Sequence, residues 1–302
     1  MVLLGPTASG KSQLAMTLAA VRPGTELVIV DSMQVYRGMD IGTAKPSPAD
    51  QTLVPHHLID LVHPGHDYTV NEFQSAYAAC IADIEHRGAR ALIVAGTGLY
   101  LRAITDGLTM AGQYPEVRTQ FEHQTTEALF DTLTGLDPIG AQRMEPTNRR
   151  RIERALEVSM GSGTPFSSFG LGFTKYPPSS MVQVGIRYER VVQANRVEAR
   201  VHDMMNAGWL DEVTQLATAP IGRTAAQALG YRELLDHLRG RSSLDEAVGQ
   251  TVIRTRQFAA RQIRWFRRDP RINWHEIRAD GNSIELLDDV LREYDRCINP
   301  GR

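Results

Sequence analysis

The chain has 302 residues, with 33 Lys and Arg against 35 Asp and Glu for a net charge of -2. Such a length holds one large core or about two smaller ones, and the near balance excludes a protein that coats a polyanion by overall charge, so any polyanion surface has to come from local clustering. Two cysteines, Cys80 and Cys297, lie far apart without CxxC spacing, which argues against a disulfide framework or zinc site and for a reducing compartment.

From the first residue, Met1-Val-Leu-Leu runs straight into GPTASGKS at residues 5–12. Residues 2–4 read as a short buried strand and residues 12–20 as a helix. Residues 27–30 and 91–95 are continuous apolar runs of strand length. Continuous rather than alternating hydrophobicity marks strands covered on both faces, and the helix expected over residues 71–87 lies between them, so a parallel α/β sheet is predicted. From about Tyr114 the sequence turns charged and helix-prone, and it ends in the glycine- and serine-rich GSGTPFSSFGLGF of residues 161–173, read as a connection. Residues 182–186 resume a strand pattern. Long amphipathic helices are predicted over 191–217 and 244–266. The fold expected is a P-loop NTPase-like parallel sheet core, built from residues 1–113 and 178–302, with a helical insertion at 114–177 and C-terminal helices. No apolar run approaches the roughly 20 residues a membrane span needs, and the start shows no signal-peptide pattern; a cytoplasmic protein without membrane attachment is expected.

Gly5-x-x-x-x-Gly10-Lys11-Ser12 follows a strand and opens a helix, the context in which the pattern becomes a phosphate site. Its glycines let the backbone N–H groups converge on phosphate oxygens, the helix start adds its positive dipole end, Lys11 adds a point charge, and the Ser12 hydroxyl can ligate Mg²⁺. Asp31 closes the second strand at the carboxyl edge, where open α/β sheets bind ligands. Three readings compete, a Mg²⁺-water ligand, a turn or cap aspartate, and a general base; Ala95 stands where the third strand could carry another acid, which raises the first reading, and position alone does not decide among them. Residues 254–271 contain seven arginines and one acid, with Phe258, Trp265 and Phe266 interleaved. Arg254, Arg261, Arg264 and Arg268 recur near helical spacing as a stripe about 20 Å long, suited to a nucleic-acid backbone or to a solvated face. A second basic cluster is Arg149, Arg150, Arg151 and Arg154. His56 and His57 are adjacent, which on a strand turns them to opposite faces and favours a structural role over a metal pair.

The segments GPTASGKS (5–12), DSMQVYRGMDIGTAKP (31–46), HHLID (56–60), GTGLYLRA (96–103), RRRIERALEV (149–158), ALGYREL (228–234) and TRQFAARQIRWFRR (255–268) in this order resemble the bacterial form of the tRNA dimethylallyltransferase, or isopentenyl-tRNA transferase, family over essentially the whole chain. The resemblance implies transfer of a dimethylallyl group from dimethylallyl diphosphate to N6 of adenine 37, beside the anticodon of tRNAs reading codons that begin with U. It places the diphosphate on Gly5, Pro6, Thr7, Ala8, Ser9, Gly10, Lys11, Ser12 and Arg200, with Mg²⁺ at Ser12, and makes Asp31, Thr97 and Arg200 catalytic. It places the tRNA anticodon stem-loop on Asp31, Ser32, Met33, Gln34, Thr97, Arg118, Arg150, Arg151, Ile152, Glu153 and Arg154, with Arg261 and Arg264 added from the arginine stripe; a monomer is expected. The competing readings are a small-molecule or nucleotide kinase, which shares the loop, and a GTPase-like switch, whose NKxD motif is not found.

Overall fold

The computed structural model describes residues 1–169, 175–277 and 283–298. It forms two compact units, one of Met1–Thr105 with Pro178–Arg302 and one of Asp106–Pro177. The larger unit is built on six parallel strands: β1 Val2–Leu4, β2 Thr25–Val30, β3 His56–His57, β4 Arg90–Ala95, β5 Gln183–Tyr188 and β6 Ile272–Ile277, in the order β3-β2-β4-β1-β5-β6. The apolar runs account for its centre. β1 and β2 are buried throughout, and β4 is buried from Leu92 onward. Register aligns the ends of these strands: Leu4 of β1 and Val30 of β2 both pair with Ala95 of β4. Three strands therefore end level, and Gly5, Asp31 and Gly96 leave the sheet side by side at its carboxyl edge.

At the edges the strands are weaker in sequence. β6, INWHEI, alternates apolar with polar residues and shows no continuous run, so the sequence predicted no strand there; the structure pairs it along its whole length with β5. β3 has only two residues. His57 Nε2 lies 2.6 Å from Glu26, whose carboxylate also binds Arg87 at 2.5 and 2.8 Å. That polar knot ties β3 and the end of the helix Val70–His86 to β2.

The helix predicted over 191–217 is two helices, Arg190–Asn206 and Trp209–Leu216. Gly208 at φ 95° breaks it, a left-handed conformation that side-chain-bearing residues avoid. Hydrophobic periodicity continues across the break, which is why the pattern alone reads through it. The helix Leu244–Phe266 keeps its predicted bounds, opened by a capping box between Ser243 and Glu246.

The smaller unit packs Phe121, Leu129, Leu133, Ala141, Met144, Ile152, Ala155 and Leu156 into its own core. Its main helix is Arg149–Ser162. The unit starts at Asp106 rather than Tyr114: the Ala111 carbonyl accepts from Arg154, and the Tyr114 N–H donates to Glu157. Those bonds give no signal in composition.

Candidate active site

The phosphate loop sits between β1 and the helix Lys11–Val21, which opens on Gly10 at φ 83°. Ala8 is also left-handed at φ 61°, and a residue with a Cβ held there costs about 1–3 kcal/mol and persists only where neighbours over-determine it. Three side chains do so here. Gln262 Oε1 accepts from the Thr7 N–H at 2.9 Å, Gln193 Nε2 donates to the Thr7 carbonyl at 2.6 Å, and Arg196 Nε donates to the Ala8 carbonyl at 2.9 Å. With the Thr7 N–H given to Gln262 and the Ser9 N–H to the Pro6 carbonyl at 3.3 Å, which also accepts from Lys11 Nζ at 3.4 Å, the loop's offer to an anion rests chiefly on the first-turn amides that no helix can satisfy internally. Ser9 Oγ is buried and has no hydrogen-bond partner among the described residues.

Asp31 leaves β2 with Oδ1 accepting from the Met33 and Gln34 N–H groups at 2.8 and 3.3 Å. Its other oxygen faces the loop: a methyl group placed on Gly96 would lie 3.4 Å from Asp31 Oδ2 and 3.6 Å from Lys11 Nζ. The Thr97 hydroxyl accepts from the Ser32 N–H at 3.2 Å, joining the exits of β4 and β2. Burial, then the neighbouring Arg200 guanidinium, lower the Lys11 ammonium to about 8, with Asp31 pulling the other way. Burial likewise holds Arg200 below its ordinary value, opposed by Asp31. A guanidinium does not deprotonate in proteins. The site therefore keeps two desolvated cations facing one carboxylate, an excess of positive charge suited to an anion.

The segment after Asp31 is braced from below. The Glu212 carboxylate accepts from the N–H groups of Asp40, Ile41 and Gly42 at 2.8, 2.7 and 3.2 Å and from the Tyr231 hydroxyl at 2.5 Å. Lys45 binds Asp40, Asp60 and the Tyr36 carbonyl at 2.5, 2.6 and 2.8 Å. Gln34 turns its amide inward to the Thr43 and Ala44 carbonyls at 3.2 and 3.4 Å, whereas Ser32 and Met33 remain half-exposed.

A model of the IPP transferase family matches residues 34–269. The chain belongs to the IPP transferase family. A tRNA dimethylallyltransferase of Geobacter metallireducens is 45% identical over 94% of this chain and 94% of its own length. Another, from Pseudarthrobacter chlorophenolicus, is 44% identical over 90% of this chain and 91% of its own. Among solved structures, the full-length tRNA isopentenylpyrophosphate transferase from Bacillus halodurans is similar with a TM-score of 0.72 at 32% identity, covering 99% of this chain and 96% of that one. Membership disfavours the kinase reading that the phosphate loop alone left open.

Within this member of the IPP transferase family the two basic clusters divide into ion-paired arginines and arginines with no ion pair among the described residues. On the helix Leu244–Phe266, Arg254 is ion-paired with Glu233, and Arg256 with Glu198 at 2.7 Å. Arg261, Arg264 and Arg268 are exposed, Arg261 lying over the Phe258 ring. Arg254 thus belongs to the packing of the helix and the solvated stripe is shorter than the sequence suggested. In the smaller unit Arg150 and Arg151 are exposed. Ile152 is fully buried in that unit's core, which corrects its expected place on a tRNA-facing surface: helical geometry turns it opposite to its exposed neighbours. Glu153 holds Arg149 at 2.6 Å and Arg118 at 3.4 Å, and Arg154 pairs with Glu157 at 2.8 Å.

Gln193, Arg196, Gln262 and Gly96 were not singled out from sequence. A signal existed. Gln193 falls in the buried stripe with Val197, Val201 and Met204, and Gln262 in the stripe with Ala259 and Phe266. An amide at a core position implies a specific partner, since buried polar groups are nearly always hydrogen-bonded.

Lys11 gives a pH test. Its ammonium is charged below about 8 and neutral above, so affinity for a diphosphate is expected to be greatest below that value and to fall as pH rises through it. Titration calorimetry with dimethylallyl diphosphate at pH 7 and 9 checks this. Lys11→Arg, charged at both values, should lose the pH slope; a slope that survives in that variant comes from another group.

Proposed function

We propose that the protein transfers a dimethylallyl group from dimethylallyl diphosphate to N6 of adenine 37 in tRNAs reading codons that begin with U. The observation that carries the proposal is the convergence of the phosphate loop, Lys11, Arg200 and Asp31 at one sheet edge in a chain of the IPP transferase family. Adenine N6 is a weak nucleophile because its lone pair is delocalised into the ring. As N6 bonds to the allylic carbon, the carbon–oxygen bond breaks, diphosphate leaves with the electron pair, and Asp31 Oδ2 takes the N6 proton. The loop N–H groups, the orphaned Ser9 hydroxyl, Lys11 and Arg200 meet the charge developing on the leaving group. Thr97, fixed against Ser32, lies beside the acceptor base. That base has to leave the anticodon stack, at a cost of a few kcal/mol offset by stacking and backbone contacts.

The residues fit a Mg²⁺ ion shared with substrate. Among the described residues no cluster of three His, Cys, Asp or Glu side chains could cage a metal, and Mg²⁺ commonly keeps waters and takes substrate phosphates with few protein ligands. Ser12 Oγ, at the start of the loop helix, would hold it, and the ion would supply further neutralisation of the leaving diphosphate. No helix among the described residues is long and apolar enough to cross a membrane. A cytoplasmic location, where the tRNA substrate resides, is part of the proposal.

Incubation with unmodified tRNA, Mg²⁺ and labelled dimethylallyl diphosphate is expected to place label on the tRNA. Label arriving only from ATP would overturn the proposal. Exposed arginines are expected to serve tRNA and not the isoprenoid. Arg261 and Arg264, or Arg150 and Arg151, changed in pairs to Ala should weaken tRNA binding and reduce its salt dependence by roughly one unit of slope per lost contact, with donor affinity kept within about twofold. Unchanged salt slope with earlier melting would assign them to packing instead.

A further inference from the structure

We propose that Gln262 is a positioning residue that holds the phosphate loop in register with the acceptor side of the site; the inference rests on the transfer reaction above. One carboxamide, 8% exposed, reaches both sides. Its Oε1 accepts from the Thr7 N–H at 2.9 Å and its Nε2 donates to the Gly96 carbonyl at 2.7 Å. Thr7 precedes the left-handed Ala8. Gly96 precedes Thr97, whose hydroxyl accepts from Ser32, next to Asp31. A short hydrogen-bonded path therefore runs from the donor loop through Gln262 to the proton acceptor.

Other links between the two sides are weaker or end elsewhere. The Gly5 N–H reaches the Ala95 carbonyl at 3.4 Å, at the root of the loop and not at its turn, and Gly96 and Thr97 donate to Val30 across β4 and β2 without touching the loop. Gln193 and Arg196 hydrogen-bond the loop, Arg196 also lying over the Tyr188 ring, and among the described residues neither is bonded to the β4 exit. Gln262 alone among these bonds the loop's turn and the β4 exit. The two ends ask for opposite chemistry, an acceptor at Thr7 and a donor at Gly96. A carboxylate satisfies the first and opposes the second, and an apolar chain of equal length satisfies neither. Reacting atoms displaced by about 1 Å lose on the order of 10²-fold in rate, so an untethered loop should damage chemistry more than binding.

Gln262→Met fills the same space without either bond, and Gln262→Glu keeps the Thr7 bond alone. Four quantities are measured beside the wild type: melting temperature, affinity for inorganic diphosphate with Mg²⁺, affinity for tRNA, and single-turnover transfer from dimethylallyl diphosphate to tRNA at saturating concentrations of both. In Gln262→Met the saturated rate is expected to fall about 10- to 100-fold and diphosphate affinity about tenfold, with tRNA affinity within about twofold. Gln262→Glu should show a smaller loss of saturated rate, and it carries the test if the Met variant does not fold. A variant that melts early, binds both ligands less well and yet reaches the wild-type rate at saturation would reduce Gln262 to a packing role and overturn the inference. Should the wild type itself transfer no label, the reaction assignment fails separately. The diphosphate titration then still decides whether Gln262 shapes the loop, unchanged affinity in both variants counting against it.

Discussion

Asp31→Asn is expected to lower the single-turnover transfer rate by about two to four powers of ten while leaving affinity for dimethylallyl diphosphate intact. The structure makes this substitution unusually clean. Asp31 Oδ1 accepts from the Met33 and Gln34 amides, and the carbonyl of an asparagine can accept both, so the turn that leads the chain out of β2 is kept. What changes is Oδ2, on the side of Gly96 and Lys11, where a proton acceptor becomes an amide donor. Removing the carboxylate charge removes its repulsion of the incoming diphosphate and also the support Asp31 gives the Lys11 ammonium, two opposed effects that should leave affinity near the wild type when measured at pH 7 or below. The two other roles open to this aspartate give different results. A ligand of the metal shell would lose Mg²⁺-dependent diphosphate binding with chemistry unchanged at saturation. A residue needed only for the turn would lose nothing, because asparagine serves there equally well.

The parts of the fold that could be read from sequence are those where one local rule dominates. Buried central strands must be apolar on both faces, and residues 27–30 and 91–95 announce themselves in that way. The phosphate loop is legible because backbone convergence on an anion demands glycines at fixed spacing. β6 escaped because an edge strand with a half-exposed face needs only alternate apolar residues, and INWHEI is too short for alternation to stand out. The break at Gly208 escaped because hydrophobic period carries no information on a single left-handed residue. Gln193 and Gln262 escaped for a different reason: their partners are carbonyls and amides of Thr7 and Gly96, far away in sequence, and backbone atoms leave no residue-type signature. Ile152 shows the converse error. The family resemblance places residues 150–154 together on the tRNA, whereas the helix turns residue 152 into the core of the smaller unit.

Arg200→Ala is expected to lower the saturated transfer rate by about 10² to 10³, the usual cost of removing one preorganised group that meets developing negative charge. Arg200 is held desolvated with Asp31 as its named opposing charge, and it depresses the Lys11 ammonium from nearby. Two desolvated cations that share the single carboxylate of Asp31 repel each other, as the lowering of Lys11 by Arg200 shows. Truncating one of them should therefore leave the fold as stable or slightly more stable, in line with the trade-off between stability and activity at charged sites. A second consequence separates an electrostatic role from simple loss of a contact. The Arg200 charge lowers Lys11, so its removal lets Lys11 rise, and the pH at which diphosphate affinity falls should move upward from about 8. Arg200→Lys, which retains a charge without the planar fork, should keep the inflection near its original place and recover only part of the rate. Calorimetric titrations across pH 7 to 10 on the three proteins, with melting curves alongside, read all of this. A rate loss accompanied by an unmoved Lys11 inflection would show that the two cations do not share a field, and Arg200 would then act on the diphosphate by itself.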